Sequence, residues 1–373
     1  MPHTLTRRQL LKLIAASSVA AALAPALHAR ARYPTLAALP TPAPSDVEVG
    51  SGAEAGYAYS DVWMLKGRAI HTVTFYEEPD VKSERLEVKY RDEEFRILGE
   101  ERAPFSAHND LWYRTPLGYV HSAWVLPVRV YPPQPFIADV GPWGFWGEIS
   151  QIHTEARAAP ELSAHRNYRF YGGTIHRVVA AAEDEEGSGW YKLVDDYPPK
   201  TERYHWALAR DVRRVPRAEM APIHPFAGQK RIFVDFGAQK LTCYEGDDEV
   251  FSTLVAGGLT GATPRGEHCV LLKQPSRHMS NTPYPGMAEE DQPDPGDIFD
   301  LPGVPWNVFF DLDGTAIHGA YWHNDFGIPR SHGCLNVSTA AARWIYRWVH
   351  PIGGYEDDFI QSDCRVGTPI VIA

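Results

Sequence analysis

The strongest constraint on how this chain folds is the shortness of its apolar runs. From residue 66 onward they are brief, they alternate with polar residues, and Pro, Gly, Asp and Asn interrupt them. Ile70, Thr72 and Thr74 fall on one face of such a run, and His71, Val73 and Phe75 on the other, before Glu77-Glu78-Pro79-Asp80 breaks it. Period-two alternation marks a half-buried strand, and the interruptions mark turns. The 30 glycines and 31 prolines stay below the roughly 25–30% that marks low complexity. The chain is therefore predicted to be mainly β, not a helical bundle.

Composition narrows the class. With 44% hydrophobic and 22% charged residues the chain can bury a core. Its 373 residues suggest two or three domains of ~100–200 residues each. A net charge of −11 argues against a nucleic-acid binder, which needs a basic face. Four cysteines exclude a disulfide-dense scaffold.

Residues 1–31 read as an export signal: Arg7, Arg8 and Lys12, then the apolar stretch Leu13 to Leu27, then Ala29-Arg30-Ala31 as a cleavage site. The run Thr6 to Lys12 resembles a twin-arginine signal, with Leu10 where phenylalanine is usual. Residues 32–60, rich in Ala, Pro, Gly and Ser, read as a flexible linker. No other long apolar run follows, so no membrane span is expected after signal removal. The expected location is the cell envelope, in the periplasm or outside the wall.

Residues 61–131 and 147–216 carry one order of features twice. Ile152-His153-Thr154 parallels Ile70-His71-Thr72. Gly189-Trp190-Tyr191-Lys192 parallels Leu111-Trp112-Tyr113-Arg114, and Tyr204-His205-Trp206 parallels Tyr119-Val120-His121. Two copies of one small barrel are predicted. The pattern resembles bacterial SH3-like cell-wall modules, which implies either wall binding or a role as spacer or cleft wall. Trp112, Trp190 and Trp206 are expected in cores.

Residues 229–373 form a third β-rich region. Expected strands are an alternating run from Gln229, a hairpin of Leu241 to Glu245 with Val250 to Ala256, Cys269 to Lys273, Trp306 to Phe310 paired with Thr315 to His318, and Pro369 to Ile372. One helix is expected: Ser338 caps it, and Ala341, Trp344, Ile345, Trp348 and Val349 make an apolar stripe. Residues 274–305, with seven prolines, are predicted to be a long irregular loop. Glu289, Glu290, Asp291, Asp294, Asp297 and Asp300 in it face a single Arg277, which suggests a lid that attracts a cationic amine.

The chemistry concentrates between His318 and Asn336. Cysteine attacks as the thiolate, and His318, His323 and His332 all lie within 16 positions of Cys334. Gly333 permits close backbone approach, and N–H groups near Cys334 suit an oxyanion. His318-Gly319, followed by Ser331-His332-Gly333-Cys334-Leu335-Asn336, resembles the catalytic domain of L,D-transpeptidases, bacterial cell-wall cross-linking enzymes. Thr263-Pro264-Arg265-Gly266 and the closing Gly367-Thr368-Pro369-Ile370-Val371 resemble it too. The resemblance implies Cys334 as nucleophile, His318 as general base, and Ser331, His332, Gly333 and Asn336 as supporting or oxyanion residues. Many members carry arginine where Asn336 stands. Tyr321, Trp322 and His323 are candidate substrate contacts. The implied partner is a peptidoglycan stem peptide, with no cofactor, no metal and no nucleic acid. Transpeptidation and carboxypeptidase trimming both fit. Two other classes compete: a zinc-dependent wall peptidase or amidase using the histidines and Cys334, and a non-catalytic wall-binding protein. Once Cys334 is reserved, Cys243, Cys269 and Cys364 allow at most one disulfide.

Overall fold

The computed structural model describes residues 63–197, 201–283, 292–293, 295 and 298–373. The export signal, the linker and Glu289, Glu290, Asp291, Asp294 and Asp297 lie outside the described residues. The architecture is mainly β, as the alternation predicts.

The first unit contains β1 (Met64–Ala69), β2 (Val73–Tyr76), β3 (Arg85–Lys89), β4 (Glu94–Arg96), β5 (Gly99–Arg102), β6 (Leu111–Thr115), β7 (Gly118–His121) and β8 (Val125–Val130). The second contains β9 (Phe145–Ile149), β10 (His153–Arg157), β11 (Arg166–Tyr171), β12 (Ile175–Glu183), β13 (Gly189–Tyr197), β14 (Thr201–Leu208) and β15 (Val212–Arg214). The repeat is real at the level of pairing. In the first unit β1 pairs with β4 and β8, β2 with β3 and β7, and β6 with β5 and β7. In the second, β9 pairs with β12 and β15, β10 with β11 and β14, and β13 with β12 and β14. The two sets coincide once β4 and β5 together are set against the unbroken β12. A 3-10 turn precedes the last strand in each unit, at Ser122–Trp124 and Ala209–Asp211.

The register corrects one part of the sequence alignment. Trp112 and Tyr113 face His121 and Val120, whereas Trp190 and Tyr191 face Leu208 and Ala207. Trp206-Ala207-Leu208, not Tyr204-His205-Trp206, is the counterpart of Tyr119-Val120-His121. The aromatic letters misled because Tyr204 is exposed while the corresponding inward position is held by Ala207. Trp112 and Trp190 are fully buried, and Trp206 is partly so.

The last region contains β16 (Lys230–Asp235), β17 (Lys240–Glu245), β18 (Asp248–Leu254), β19 (Gly266–Cys269), β20 (Leu272–Ser280), β21 (Asp300–Phe309), β22 (Ala316–Gly319), β23 (Leu335–Val337), β24 (Ile360–Gln361) and β25 (Pro369–Ile372). They form two sheets, ordered β18-β17-β16-β25-β19 and β23-β22-β21-β20-β24. A short helix, α1 (Arg217–Met220), precedes them, and α2 (Thr339–Trp348) follows β23. Ser338 Oγ caps α2 by accepting from Ala341 N at 3.2 Å. Ala341, Ile345 and Trp348 are buried on its inner face.

The two ends of the predicted 274–305 loop are strand, 274–280 in β20 and 300–305 in β21. β20 and β21 pair from Leu272↔Phe309 to Ser280↔Asp300, with a bulge near Arg277. Proline density suggested a loop, but prolines are tolerated in strands where no ladder N–H is needed. Gly303, at φ +66°, lies in that bulge, where a Cβ would lie 2.5 Å from the His176 ring.

The described residues all fall within the compact unit Arg32–Ala373, and the repeated units are not beads on a string. One buried cluster joins Ile149, Phe170 and Leu193 of the second unit to Ile232, Trp306 and Ile345. Another joins Phe75, Phe95 and Val125 of the first unit to Leu254, Ala256, Ala320 and Phe326. Burying a large apolar side chain such as Leu254 or Phe326 contributes about 1.5–3 kcal/mol.

Candidate active site

Two parallel strands position the chemistry. β22 and β23 pair as Ile317↔Leu335 and His318↔Asn336, which extends to Cys334 opposite Ala316. Partners in register share a face and residues two apart share a face. Cys334, His318 and Asn336 therefore lie on one side of the sheet. His318 is buried, and its Nδ1 donates to the Gly319 carbonyl at 3.3 Å. A carbonyl only accepts, so the proton sits on Nδ1 and the Nε2 lone pair is left as a base. Burial lowers the imidazole to about 4, so it rests neutral. Burial also raises the Cys334 thiol, against a backbone hydrogen bond from Ala316. The resting pair is thiol and imidazole, not thiolate and imidazolium.

A strap at residues 256–263 holds the Cys334 turn. Arg330 N and Ser331 N donate to Gly257 O, each at 2.9 Å, and Leu259 N donates to Ser331 O at 2.8 Å. Ala256 and Asn336 exchange backbone hydrogen bonds at 2.8 and 3.0 Å. Thr263 Oγ1 accepts from Gly258 N at 2.8 Å and donates to Gly333 O at 2.7 Å. A Cβ on Gly258 would lie 2.7 Å from Thr263 N and 3.0 Å from Gly333 Cα, so only glycine lets the strap approach. The Thr-Pro-x-Gly turn thus begins with the hydroxyl that ties strap to turn. Within the turn, Ser331 Oγ donates to Cys334 O and accepts from Gly333 N at 3.1 Å. The Gly333 N–H is therefore occupied.

The other candidates divide. Asn336 Nδ2 donates to His323 Nε2 at 3.0 Å, which leaves the His323 proton on Nδ1. Burial, then the Arg330 charge, lower His323 to about 3. Asn336 Oδ1 and His323 Nδ1 are buried without a hydrogen-bond partner among the described residues. Trp322 lies 5.7 Å from the His318 ring. Tyr321 is buried, stacks on Tyr171 and donates its hydroxyl to Pro302 O at 2.9 Å, leaving little surface for a substrate. His332 is exposed, 5.0 Å from the Phe299 ring. Among the described residues no three His, Cys, Asp or Glu side chains are grouped to hold a metal ion.

Sequence reasoning missed what holds this segment from outside. Arg68 donates to Tyr321 O at 2.6 Å while paired to Asp92 at 2.8 Å. Asn324 Nδ2 donates to Tyr113 OH at 3.0 Å and Ser122 O at 3.3 Å. Asp325 pairs with His108 at 3.0 Å and with Arg330. Burial would raise the Asp325 carboxyl, but Arg330 and the first unit's Asn109 and His108 hold it low. None of the contacts to the first unit has a local spacing signal, each joining residues more than 200 positions apart.

The fold and site together define a β domain whose cysteine and histidine share one sheet face beside a glycine-pinned turn. Residues 229–372 match the YkuD family model, the L,D-transpeptidase catalytic domain, and this segment is such a domain. No curated protein matches the chain. Among solved structures it is similar to an L,D-transpeptidase from Mycobacterium smegmatis, at 17% identity over 52% of this chain and 98% of that one, with TM-score 0.31. It is also similar to an L,D-transpeptidase from Stackebrandtia nassauensis, at 18% identity over 39% and 55%, with TM-score 0.26. A C442S mutant of the Enterococcus faecium L,D-transpeptidase matches at 16% identity over 49% and 74%, with TM-score 0.29.

Proposed function

We propose that this protein is a peptidoglycan L,D-transpeptidase working through a cysteine acyl-enzyme. The observation that supports the reading is the β22–β23 register, by which Cys334 and His318 share a sheet face while His318 keeps its Nε2 lone pair. His318 takes the thiol proton as sulfur attacks the carbonyl of the third stem residue. It returns that proton to the departing terminal D-alanine amine. The thioester then passes to a side-chain amine of a second stem, giving a cross-link, or to water, giving a trimmed stem. Trp322 and the Asn336–His323 pair are the substrate contacts in this reading, with Ser331 and Gly333 shaping the turn. No cofactor is required.

The wider architecture fits an exported enzyme. Residues 61–131 and 147–216 are SH3-like modules in this reading, supported by their matching strand pairing. They serve as walls and anchors of the catalytic domain at 229–373. The Cys269–Cys364 disulfide supports an oxidising envelope location, reached through the signal at 1–31.

Intact mass after incubation with a stem tetrapeptide or a β-lactam tests the reading. Wild type should gain an adduct on Cys334, and Cys334→Ser should gain none while keeping its thermal transition. Wild type that stays unmodified with both reagents would overturn it.

A further inference from the structure

Outside the Cys334 site, one cluster of titratable side chains spans two parts of the fold. His278 lies on β20, with both ring nitrogens facing carboxylates. Nδ1 is 2.7 and 2.8 Å from the two oxygens of Asp195 on β13, and Nε2 is 2.5 Å from Asp300 Oδ1 on β21. Neutral imidazole carries one N–H, so serving both partners takes an imidazolium. We propose that Asp195, His278 and Asp300 form a charged clamp through which the second repeated unit fixes the distal end of the β20–β21 hairpin beside Cys334, with His278 as a positioning residue for acyl transfer.

The surrounding groups are committed to the same arrangement. Asp196, next to Asp195, accepts from His278 N at 2.8 Å and from Arg277 Nη1 at 2.6 Å. Asn167 Nδ2 donates to His205 Nδ1 at 2.9 Å, so His205 Nε2 carries the proton shared with Asp195 Oδ2 at 3.3 Å. Tyr168 OH donates to Asp300 Oδ2 at 3.1 Å. His176, packed against the same cluster, is lowered to about 3 by burial and stays neutral. The imidazolium between the carboxylates thus belongs to His278.

The route to the nucleophile is short. Beyond the Ser280↔Asp300 pair, Asn281 N donates to Phe299 O at 3.2 Å and Phe299 N donates to Asn281 Oδ1 at 2.7 Å. Phe299, adjacent to Asp300, meets His332, two positions before Cys334. Met279 and Leu301 pack in the cluster that includes Tyr321 and Trp322. Freeing Asp300 from His278 would therefore loosen the Phe299 contact with His332 beside the Cys334 turn. It would leave the β22–β23 pair, and so the intrinsic reactivity of the thiol, in place.

The sign of the pH effect follows from the cluster. Burial alone would lower His278, but Asp195 and then Asp300 hold it at about 9. The folded value lies above the ordinary imidazole value of 6.5, so the clamp's stabilisation is full below about 6.5 and is lost as pH rises through about 9.

The clamp rests on the transpeptidase reading for its role but not for its existence, and the experiment separates the two. In the full chain, amide hydrogen exchange at pH 7 is followed for residues 278–283 and 298–302 in wild type, His278→Gln and Asp300→Asn. The expected result is exchange at least ~10-fold faster there in both variants, with β16 and β17 unchanged. The rate of Cys334 acylation by stem tetrapeptide is divided by the rate of iodoacetamide alkylation, and each variant's quotient is compared with that of wild type at the same pH, which removes any difference in thiol ionisation between the proteins. That ratio should fall ~10-fold in both variants at pH 7. Relative to wild type at the same pH, the His278→Gln deficit should shrink above pH 9, where wild-type His278 has itself lost its proton. Exchange within twofold of wild type in both variants overturns the clamp. Faster exchange with an unchanged ratio overturns the positioning role. If wild type itself never acylates, the transpeptidase reading fails while exchange still decides whether the clamp exists.

Discussion

Cys334 and His318 are neutral at rest for one shared reason, removal from water. His318 is lowered to about 4 and the thiol is raised above its ordinary value of 9.0. A neutral imidazole cannot lower a thiol electrostatically, so in the proposed mechanism the thiolate is made at the moment of attack. Iodoacetamide alkylation of Cys334 should therefore climb with pH to a midpoint above 9, with no plateau near neutrality. His318→Ala should move that midpoint by less than about one unit and yet slow acylation by at least ~10²-fold, the usual scale of general acid–base catalysis. A midpoint near 6 would mean a preformed ion pair and would overturn this account.

Among the elements, the strap at 256–263 and the end of α2 carry distinct energetic tests. Thr263→Val deprives Gly258 N and Gly333 O of their partner, and an unsatisfied buried polar group costs ~1–3 kcal/mol. Thermal denaturation should show that loss, acylation should slow with it, and Thr263→Ser should restore both. Lys273 lies beyond the C-terminal end of α2, buried, donating to Val349 O at 3.2 Å and Pro351 O at 2.8 Å. Burial, then the Lys230 charge, lower it to about 7 from 10.5. The unfolded chain holds that proton between about 7 and 10.5 and the folded chain does not, so this group makes stability rise with pH across that window. Lys273→Met should flatten that rise in denaturant titrations, and an unchanged slope would exclude Lys273 as its source. The hairpin shows why elements were only partly legible. Its prolines and acids read as solvated loop, but Asp300 is spent on His278 and Tyr168. No local pattern announces a partner on β13, remote in sequence.

At the scale of the whole molecule, the disulfide between Cys269 and Cys364 ties the end of β19 to the segment before β25 across 95 residues. Removing a native cross-link typically costs ~2–5 kcal/mol. Cys364→Ser should lower the melting temperature measurably, while Cys334 still takes its mass adduct. An unchanged melting temperature would mean the bridge adds no stability. The repeated units, the strap and the hairpin act together: Arg68, Asn324 and Asp325 join the first unit to the segment after His318, and Asp195 joins the second unit to the hairpin. What the sequence by itself determined was whatever is encoded locally: strand alternation, the Ser338 cap, the twofold repeat and the His318 to Asn336 motif. Tertiary structure alone decided the register between β6 and β7 or β13 and β14, which two of the three remaining cysteines pair, and the ionic contacts that frame the site. Alternation and caps depend on neighbours a few residues away. A buried charge depends on whichever remote group the fold brings within hydrogen-bond reach.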